Sequence, residues 1–146
     1  MEIAIRPLWT ALPERLGLTS FRADDPAAFL PMESLLERLL EAAPVNIYVV
    51  DAEGRILYIN EATAACLGRP KAELLGGSDR DLLPPEQVEA IRETDREVLR
   101  TGKPVLARIR LDFPTGAKLM IDQKFPLTLP DGSIAVGGIA IALDDG

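Results

Sequence analysis

The stretch VNIYVVDAEGRILYINEATAACLG, residues 45–68, decides the fold of this chain. Its two runs VNIYVV and RILYIN are rich in β-branched and aromatic residues, and the DAEG between them is typical of a tight turn, so together they predict an antiparallel hairpin. Asn60 ends the second strand, because its side-chain oxygen can accept from the open N–H groups two or three residues further on. A short helix is therefore expected over residues 61–67, ending at Gly68.

The residues before this stretch differ from the rest of the chain. Prolines interrupt residues 1–32, which predicts an irregular extension with short helical turns. An amphipathic helix follows over residues 33–42, with four leucines on one side: Leu35, Leu36, Leu39 and Leu40. These leucines must be covered, either by the neighbouring sheet or by a second copy of the chain in a homodimer.

The residues after the stretch complete one domain. Two brief helical turns are expected over residues 69–83, then a longer helix that begins at Pro84 and Pro85 and ends at Gly102. Three strands follow, over residues 105–113, 118–127 and 134–143. The order predicts an α+β fold, a five-stranded antiparallel sheet with helices on one face.

Composition restricts the partners and the location. The chain has 146 residues, of which 47% are hydrophobic, enough for one core of ordinary size. A net charge of -7 argues against nucleic acid or an anionic membrane as a partner, since both require a basic surface. Neither a signal peptide nor an apolar run long enough to cross a membrane is found, and the single cysteine fits a reducing compartment. We therefore expect a cytoplasmic protein.

Enzymatic activity is not expected. The chain has no histidine, which removes the usual general base, the commonest metal ligand and the usual haem ligand. It also lacks a Gly-rich phosphate loop, a nucleophile elbow and a Ser-x-x-Lys element. A remote alternative is a small carboxylate-based enzyme that pairs Asp51, Glu53 or Asp122 with Lys118 or Lys124. Turns and wet strand faces rarely shift a pKa enough for such catalysis.

The residues from about 35 to 144 resemble a PAS domain. The resemblance rests on four segments in order: AAPVNIYVVDAEGRILYINEATAACLG, KAELLG with DLLPPE, DREVLRTGKP, and KFPLTLPDGSIAVGGIAIALDD. It implies a cytoplasmic sensory and interaction module that encloses a cleft for a small molecule. Such modules usually pass a signal to a kinase, cyclase, phosphodiesterase or transcription-factor domain, which places them in two-component signalling, cyclic-nucleotide signalling or transcription regulation.

The resemblance also sets the expected organisation. Residues 33–144 would form the domain, residues 1–32 the extension, and residues 145–146 the start of a linker or tail. Because no effector domain is recognised here, we expect either an excised sensory domain or a short protein that works through a partner. The leading hypothesis is a sensor that binds a small molecule, homodimerises, or does both; the alternative is a ligand-free dimerisation domain.

The cofactor classes that the resemblance brings with it are restricted by the residues present. Haem held by histidine is excluded. A LOV-type flavin photosensor would carry a cysteine inside an Asn-Cys-Arg-like motif on a later helix, whereas Cys66 lies in AACLG, so the photochemical thiol is missing. A chromophore attached to Cys66 is not supported either, and this residue is expected in the core. The identity of any ligand stays open.

A non-covalent ligand would contact the inner face of the cleft. Gln123 shares one face of its strand with Leu119, Ile121 and Phe125; if that face points inward, a neutral amide lies in an apolar pocket and requires a partner from the protein, a water or a ligand. The candidate cleft residues are Tyr58, Asn60, Ile91, Ile109, Ile121, Gln123 and Arg108.

Arg108 has two possible roles. Together with Arg110 it could clamp a carboxylate. The alternative is an outward, charged face opposite Asp122 and Lys124, which would contribute little.

Overall fold

The computed structural model describes residues 32–143. The predicted extension over residues 1–32 lies outside the described residues except for its last member, as does the predicted tail at residues 145–146. The chain divides into two units between residues 36 and 37, and the sheet and the cavity considered below lie in the second.

The elements follow the predicted order. Within residues 32–143, five strands and four α-helices are connected by short turns and one 3-10 turn at Asp79–Asp81. Their bounds are α1 Met32–Ala42, β1 Asn46–Val50, β2 Ile56–Ile59, α2 Glu61–Leu67, α3 Lys71–Leu74, α4 Pro85–Thr101, β3 Val105–Phe113, β4 Gly116–Thr128 and β5 Ile134–Leu143.

The strands form one antiparallel sheet in the order β2-β1-β5-β4-β3. The N-terminal hairpin β1–β2 joins the C-terminal strands through β1 and β5, where Tyr48 lies opposite Gly138. Helices α2 and α4 pack against this sheet, and both contribute residues to the apolar core. The predicted fold class is confirmed.

Asn60 does more than cap α2. The residue is fully buried, and its Oδ1 accepts from the backbone N–H groups of Thr63 and Ile47, each at 3.1 Å. Its Nδ2 donates to the carbonyl oxygens of Val45 at 2.8 Å and Leu40 at 3.0 Å. One amide therefore joins the end of α1, the start of β1 and the first turn of α2.

The predicted helix ends are also confirmed. Gly68 and Gly102 adopt left-handed conformations directly after α2 and α4, with φ of 70° and 64°. Pro84 precedes α4, and Pro85 occupies its first turn. Local sequence patterns therefore fix the lengths of these two helices.

The leucines of α1 are largely exposed. Leu35 and Leu36 are about half exposed and Leu39 is 64% exposed, whereas Leu40 is half-buried. A homodimer seam at these four residues stays a prediction.

Candidate functional site

The face of β4 that points into the domain carries Met120, Asp122 and Lys124. All three are buried, and Lys124 is only 1% exposed. The hypothesis that Gln123 faces an inner pocket is wrong, because Gln123 is exposed and Ile121 is half-buried on the outer face.

The neighbouring strands explain this orientation. Directly opposite residues of an antiparallel pair share a face, and the inward residues Val105 and Ala107 of β3 lie opposite Lys124 and Asp122. On the other side of β4, Gly138 lies opposite Lys124. Asp122 therefore lies between two alanines, Ala107 and Ala140, on the inner face.

Arg108 and Arg110 point outward, and both are exposed. They lie opposite Ile121 and Leu119, not opposite Asp122 and Lys124. Arg108 is therefore not a cleft residue, and the alternative of an outward orientation holds. The predicted charged cross-strand face is nevertheless wrong, because β4 turns its charged residues inward.

A cavity of about 90 Å³ lies between the inner face of the sheet and α4. This volume is enough for a few waters or one small organic molecule. Its apolar walls come from Val50, Ile56, Ile59, Leu67, Leu83, Ile91, Leu111, Phe113, Met120 and Ala140. Its polar lining residues are Asn46, Tyr48, Thr63, Asp79, Arg92, Asp95 and Asp122.

A buried ion pair closes one side of the cavity. Lys124 Nζ donates to Asp95 Oδ1 at 2.6 Å and to the carbonyl oxygen of Ile91 at 3.1 Å. Asp95 is buried as well, and its Oδ2 accepts from Arg92 Nη1 at 3.1 Å. Each charge therefore has a partner of opposite sign, as burial requires.

Arg92 extends this network to the turn before β2. Its Nη2 donates to Asp79 Oδ1 at 2.7 Å and to the Gly54 carbonyl oxygen at 3.0 Å. Gly54 has a φ of 81°, and a Cβ built there would lie 2.1 Å from Arg92 Cζ, so only glycine fits. Burial raises the pKa of Asp79, although the Arg92 guanidinium opposes the shift.

Asp122 forms a second polar group with Tyr48, whose hydroxyl donates to Asp122 Oδ2 at 2.7 Å. Burial raises the pKa of Asp122, and burial together with the Asp122 charge raises the pKa of Tyr48. The tyrosine ring crosses Gly138 of the intervening strand β5; a Cβ there would lie 2.1 Å from Tyr48 Cζ.

Two buried side-chain atoms have no hydrogen-bond partner within residues 32–143. They are Asp122 Oδ1, an acceptor, and Arg92 Nε, a donor. Both residues line the cavity. Buried polar atoms are nearly always paired, so these two atoms are exceptions within the described residues.

The fold places the predicted cleft residues in different parts of the domain. Ile91 lines the cavity, and Ile109 packs against the core beside it. Asn60 is occupied by the backbone bonds described above. Arg108, Ile121 and Gln123 lie on the outer face.

Tyr58 belongs to a different cluster. Its hydroxyl donates to Glu41 Oε1 at 2.8 Å, and the same oxygen accepts from Lys71. The ammonium of Lys71 lies 5.1 Å from the centre of the Tyr58 ring. Burial and the bond to Glu41 raise the pKa of Tyr58 to about 12, whereas the bond to Lys71 lowers the pKa of Glu41. This cluster ties β2 to the end of α1 and to α3.

The charged lining of the cavity was missed from the sequence. One pattern could have found it: Asp95 lies four residues after Ile91 and three before Val98, so it falls on the apolar stripe of α4. A carboxylate on a buried stripe requires a buried partner, and Lys124 is that partner.

Cys66 is buried in the core, as expected. Its thiol lies 3.6 Å from Asn46 Oδ1 and 3.7 Å from Lys118 Nζ. Over residues 32–143 there is no group of carboxylates and thiols placed to hold a metal ion. The helices within the same range are too short or too polar to cross a membrane.

The chain matches part of a longer protein from a bacterium. A protein from Sinorhizobium fredii, y4lL, is 33% identical over 117 residues, which cover 79% of this chain and 14% of that protein. The chain thus spans less than a quarter of the length of the curated relatives that it matches.

Solved structures share the fold at lower identity. The Vibrio cholerae VqmA–ligand–DNA complex is 21% identical, has a TM-score of 0.69 and is matched over 81% of this chain and 53% of that one. The PAS-B domain of Drosophila melanogaster Cycle with bound ethylene glycol is 18% identical, has a TM-score of 0.56 and is matched over 67% of this chain and 99% of that one.

The matching family model is described as the PAS fold and covers residues 40–144, which includes every strand of the sheet. The predicted resemblance is confirmed, and the chain belongs to the PAS family of sensory domains.

Proposed function

We propose that this domain binds a small molecule in the cavity on the inner face of the sheet and passes the binding event to an effector or partner protein. The observation that carries this proposal is a cavity of about 90 Å³ whose walls are mostly apolar and whose lining also includes the charged residues Asp122 and Arg92. A molecule with an apolar body and a polar group would match both parts of this lining.

The surroundings of the cavity are suited to sensing. Arg92 and Asp95 lie on α4, Asp122 lies on β4, and Tyr48 lies on β1. A ligand that changed these bonds would therefore act on three elements at once. Two structural neighbours support the idea, since the VqmA structure contains a ligand and DNA, and the Cycle domain contains ethylene glycol.

Native mass spectrometry of the full chain purified from cells tests the proposal. We expect a mass increment equal to one small molecule, which a denaturing spectrum of the same sample should lack. An absorbance spectrum identifies coloured cofactors in the same preparation. A protein without any bound molecule, whose stability no small-molecule library changes, would contradict the proposal.

A second candidate function is association through the outer face of the sheet. This face exposes aliphatic side chains on three strands: Leu106, Leu127, Ile139, Ile141 and Leu143. Exposed apolar groups of this extent are typical of interaction surfaces. We propose that a second copy of the chain covers part of this outer face, together with Leu39 of α1.

Sedimentation of the full chain tests the association. We expect a dimer at micromolar concentration and a shift to monomer when Leu39 is replaced by Lys. Because Leu39 is exposed, this substitution should leave the fold intact. A monomer at all accessible concentrations would count against self-association without bearing on the cavity.

Catalysis is not part of the proposal. Asp51 and Glu53 lie at a surface turn and pair with Arg55, and Lys124 is held by Asp95. None of these pairs presents an unengaged base next to an acid at the cavity.

A further inference from the structure

The two edges of the sheet differ in length and in how they are covered. Strand β2 at one edge has four residues, and the loop residues Gly76 and Gly77 pair with its backbone at Ile56 through bonds of 2.8 and 2.9 Å. Strand β3 at the other edge has nine residues. A long edge strand presents a row of N–H and C=O groups with which another extended segment can pair.

A hydrogen bond of Asp112 shows which groups of β3 point away from the sheet. The Asp112 N–H donates to Gln87 Oε1 of α4 at 2.8 Å, so it does not donate to β4. Hydrogen bonds alternate along an antiparallel strand, and the edge groups of Arg110, Arg108 and Leu106 therefore point the same way. For Leu106 and Arg108, no partner of these edge groups is found within residues 32–143. The Gln87 side chain thus covers the C-terminal end of this edge.

The same edge belongs to a basic segment of an acidic chain. The net charge of the chain is -7, whereas residues 96–110, which end α4 and form most of β3, contain a single acid, Glu97. The basic residues of this segment are Arg96, Arg100, Lys103, Arg108 and Arg110. All five are exposed. The local charge at the edge is therefore opposite in sign to that of the whole chain.

From these observations we propose that the edge of β3 binds an extended, acidic segment of a partner protein as a sixth strand. The backbone of that segment pairs with Leu106 and Arg108, and its glutamates or aspartates at alternate positions lie opposite Arg108 and Arg110. This edge is distinct from the cavity, so the inference goes beyond the function proposed above.

A second copy of the chain fits this edge less well than an acidic segment. If two β3 strands paired across a two-fold axis, the registers with the greatest overlap would place Arg108 opposite Arg110, or one of these arginines opposite itself. Like charges directly opposite each other destabilise a strand pair. The arginines therefore disfavour self-pairing at this edge and favour a partner of opposite charge.

A nucleic acid would match the charge of the edge but not its hydrogen-bonding pattern. The edge alternates N–H donors with C=O acceptors, and the backbone of an extended peptide repeats with the same spacing. A phosphate backbone supplies acceptors for the N–H groups and no donors for the C=O groups. The proposed partner is therefore a protein segment.

Three synthetic peptides test the proposal by NMR titration of the isotope-labelled full chain. The first is a heptapeptide that alternates glutamate with valine or threonine. The second has lysine in place of glutamate, and the third is the acidic peptide N-methylated at its glutamates, whose N–H groups would face β3. We expect the first to bind at least about tenfold more tightly than either of the others. The amide resonances of Leu106 and Arg108 should shift most, and their hydrogen exchange should slow.

The variant Arg108→Glu tests the contribution of charge at the edge. It should weaken binding of the acidic peptide by at least about tenfold and strengthen binding of the lysine peptide. Arg38→Glu makes the same change of charge at an exposed residue of α1 and should leave both affinities unchanged.

Several results would overturn the inference. Equal binding of the N-methylated peptide, or of a short single-stranded DNA, would mean that the edge attracts negative charge without pairing its backbone. Absence of binding by the acidic peptide would mean that the arginines only prevent pairing at the edge. Because the peptides are first compared on the unmodified chain, misfolding of Arg108→Glu would not decide the outcome.

Hydrogen exchange of the chain without peptide identifies the competing occupants. We expect fast exchange of the Leu106 and Arg108 amides at all concentrations. Slow exchange that depends on protein concentration would assign the edge to a second copy, and slow exchange at every concentration would assign it to another segment of the same chain. Either result would contradict the proposal and leave the proposed function of the cavity unaffected.

Discussion

The two faces of the sheet invert the usual distribution of polarity. The inner face of β4 buries an aspartate and a lysine, Asp122 and Lys124, among apolar side chains. The outer face exposes isoleucines of the adjacent strand, Ile139 and Ile141. Buried charges and exposed aliphatic groups both cost stability, and the proposed binding of a small molecule at the inner face and of protein at the outer face would account for them.

The largest effect should come from breaking the inner ion pair. Lys124→Met leaves Asp95 with Arg92 as its remaining cation and removes the bond to the Ile91 carbonyl oxygen. We expect a loss of about 3–5 kcal/mol in the free energy of unfolding, measured by urea denaturation. Lys103→Met, at an exposed position after α4, should change stability by less than about 0.5 kcal/mol. Similar losses in both variants would show that Lys124 is not held as described.

The next largest effect compares apolar truncations on the two faces. Met120 is 2% exposed and lines the cavity, whereas Ile141 is 51% exposed on the outer face. Met120→Ala should cost about 2–4 kcal/mol in the free energy of unfolding. Ile141→Ala should cost less than about 1 kcal/mol, because much of the side chain is already in contact with water. A larger loss for Ile141→Ala would mean that the outer face is covered within the monomer.

The buried carboxyl groups of the inner face should change the free energy of unfolding with pH in the opposite direction to the carboxyl groups at the surface. The raised pKa values of Asp79 and Asp122 mean that the folded state holds their protons more tightly than the unfolded chain does. These two groups therefore decrease the free energy of unfolding as the pH rises through their pKa values in the folded state. Below their pKa values in the unfolded chain, this decrease is absent. Glu41 and Asp51, whose pKa values are lowered, contribute in the opposite direction.

The variant Asp122→Asn isolates one of these groups. The variant keeps the neighbouring residues Tyr48, Asp95, Arg92 and Lys124 but has no carboxyl group at position 122 to titrate. We expect the free energy of unfolding of the variant, minus that of the unmodified chain, to increase between about pH 4 and about pH 7. Urea denaturation at each pH measures this difference. Asp81→Asn provides the comparison. A difference that falls with rising pH would contradict the direction given for the pKa of Asp122.

The smallest effect on stability should come from a charge on the outer face. Ile139→Lys replaces an exposed aliphatic group and should change the free energy of unfolding by less than about 0.5 kcal/mol. The same change should weaken self-association by at least about tenfold if a second copy covers this face. Sedimentation over a concentration series measures the self-association of this variant. The variant Gln123→Lys, at an exposed position opposite Ile139, tests how far the weakening of self-association extends over the outer face.

The elements were predictable because their ends depend on local chemistry. Asn60 starts α2, Gly68 and Gly102 end two helices, and Pro84 precedes α4, each within a few residues of the feature it controls. The family resemblance added the order of the elements. The local signals and the resemblance together predicted the fold.

The sequence of β4 alone does not predict which of its residues point into the domain. The strand alternates Leu119, Ile121 and Gln123 with Met120 and Asp122, and hydrophobicity favours the first set for the interior. Strand pairing decides otherwise, since β3 and β5 turn their own inner residues toward the same side as Asp122. Contacts between residues distant in sequence, such as Tyr48 with Asp122, determine the site.

The crossing of Tyr48 over Gly138 has a consequence for homologous sequences. The tyrosine on β1 reaches the aspartate on β4 only because the strand between them has no side chain at that point, where a Cβ would come within 2.3 Å of the tyrosine hydroxyl. The three positions should therefore covary. Homologues with Tyr at position 48 and Asp at position 122 should keep Gly at position 138, and those with a larger residue there should have exchanged the tyrosine as well.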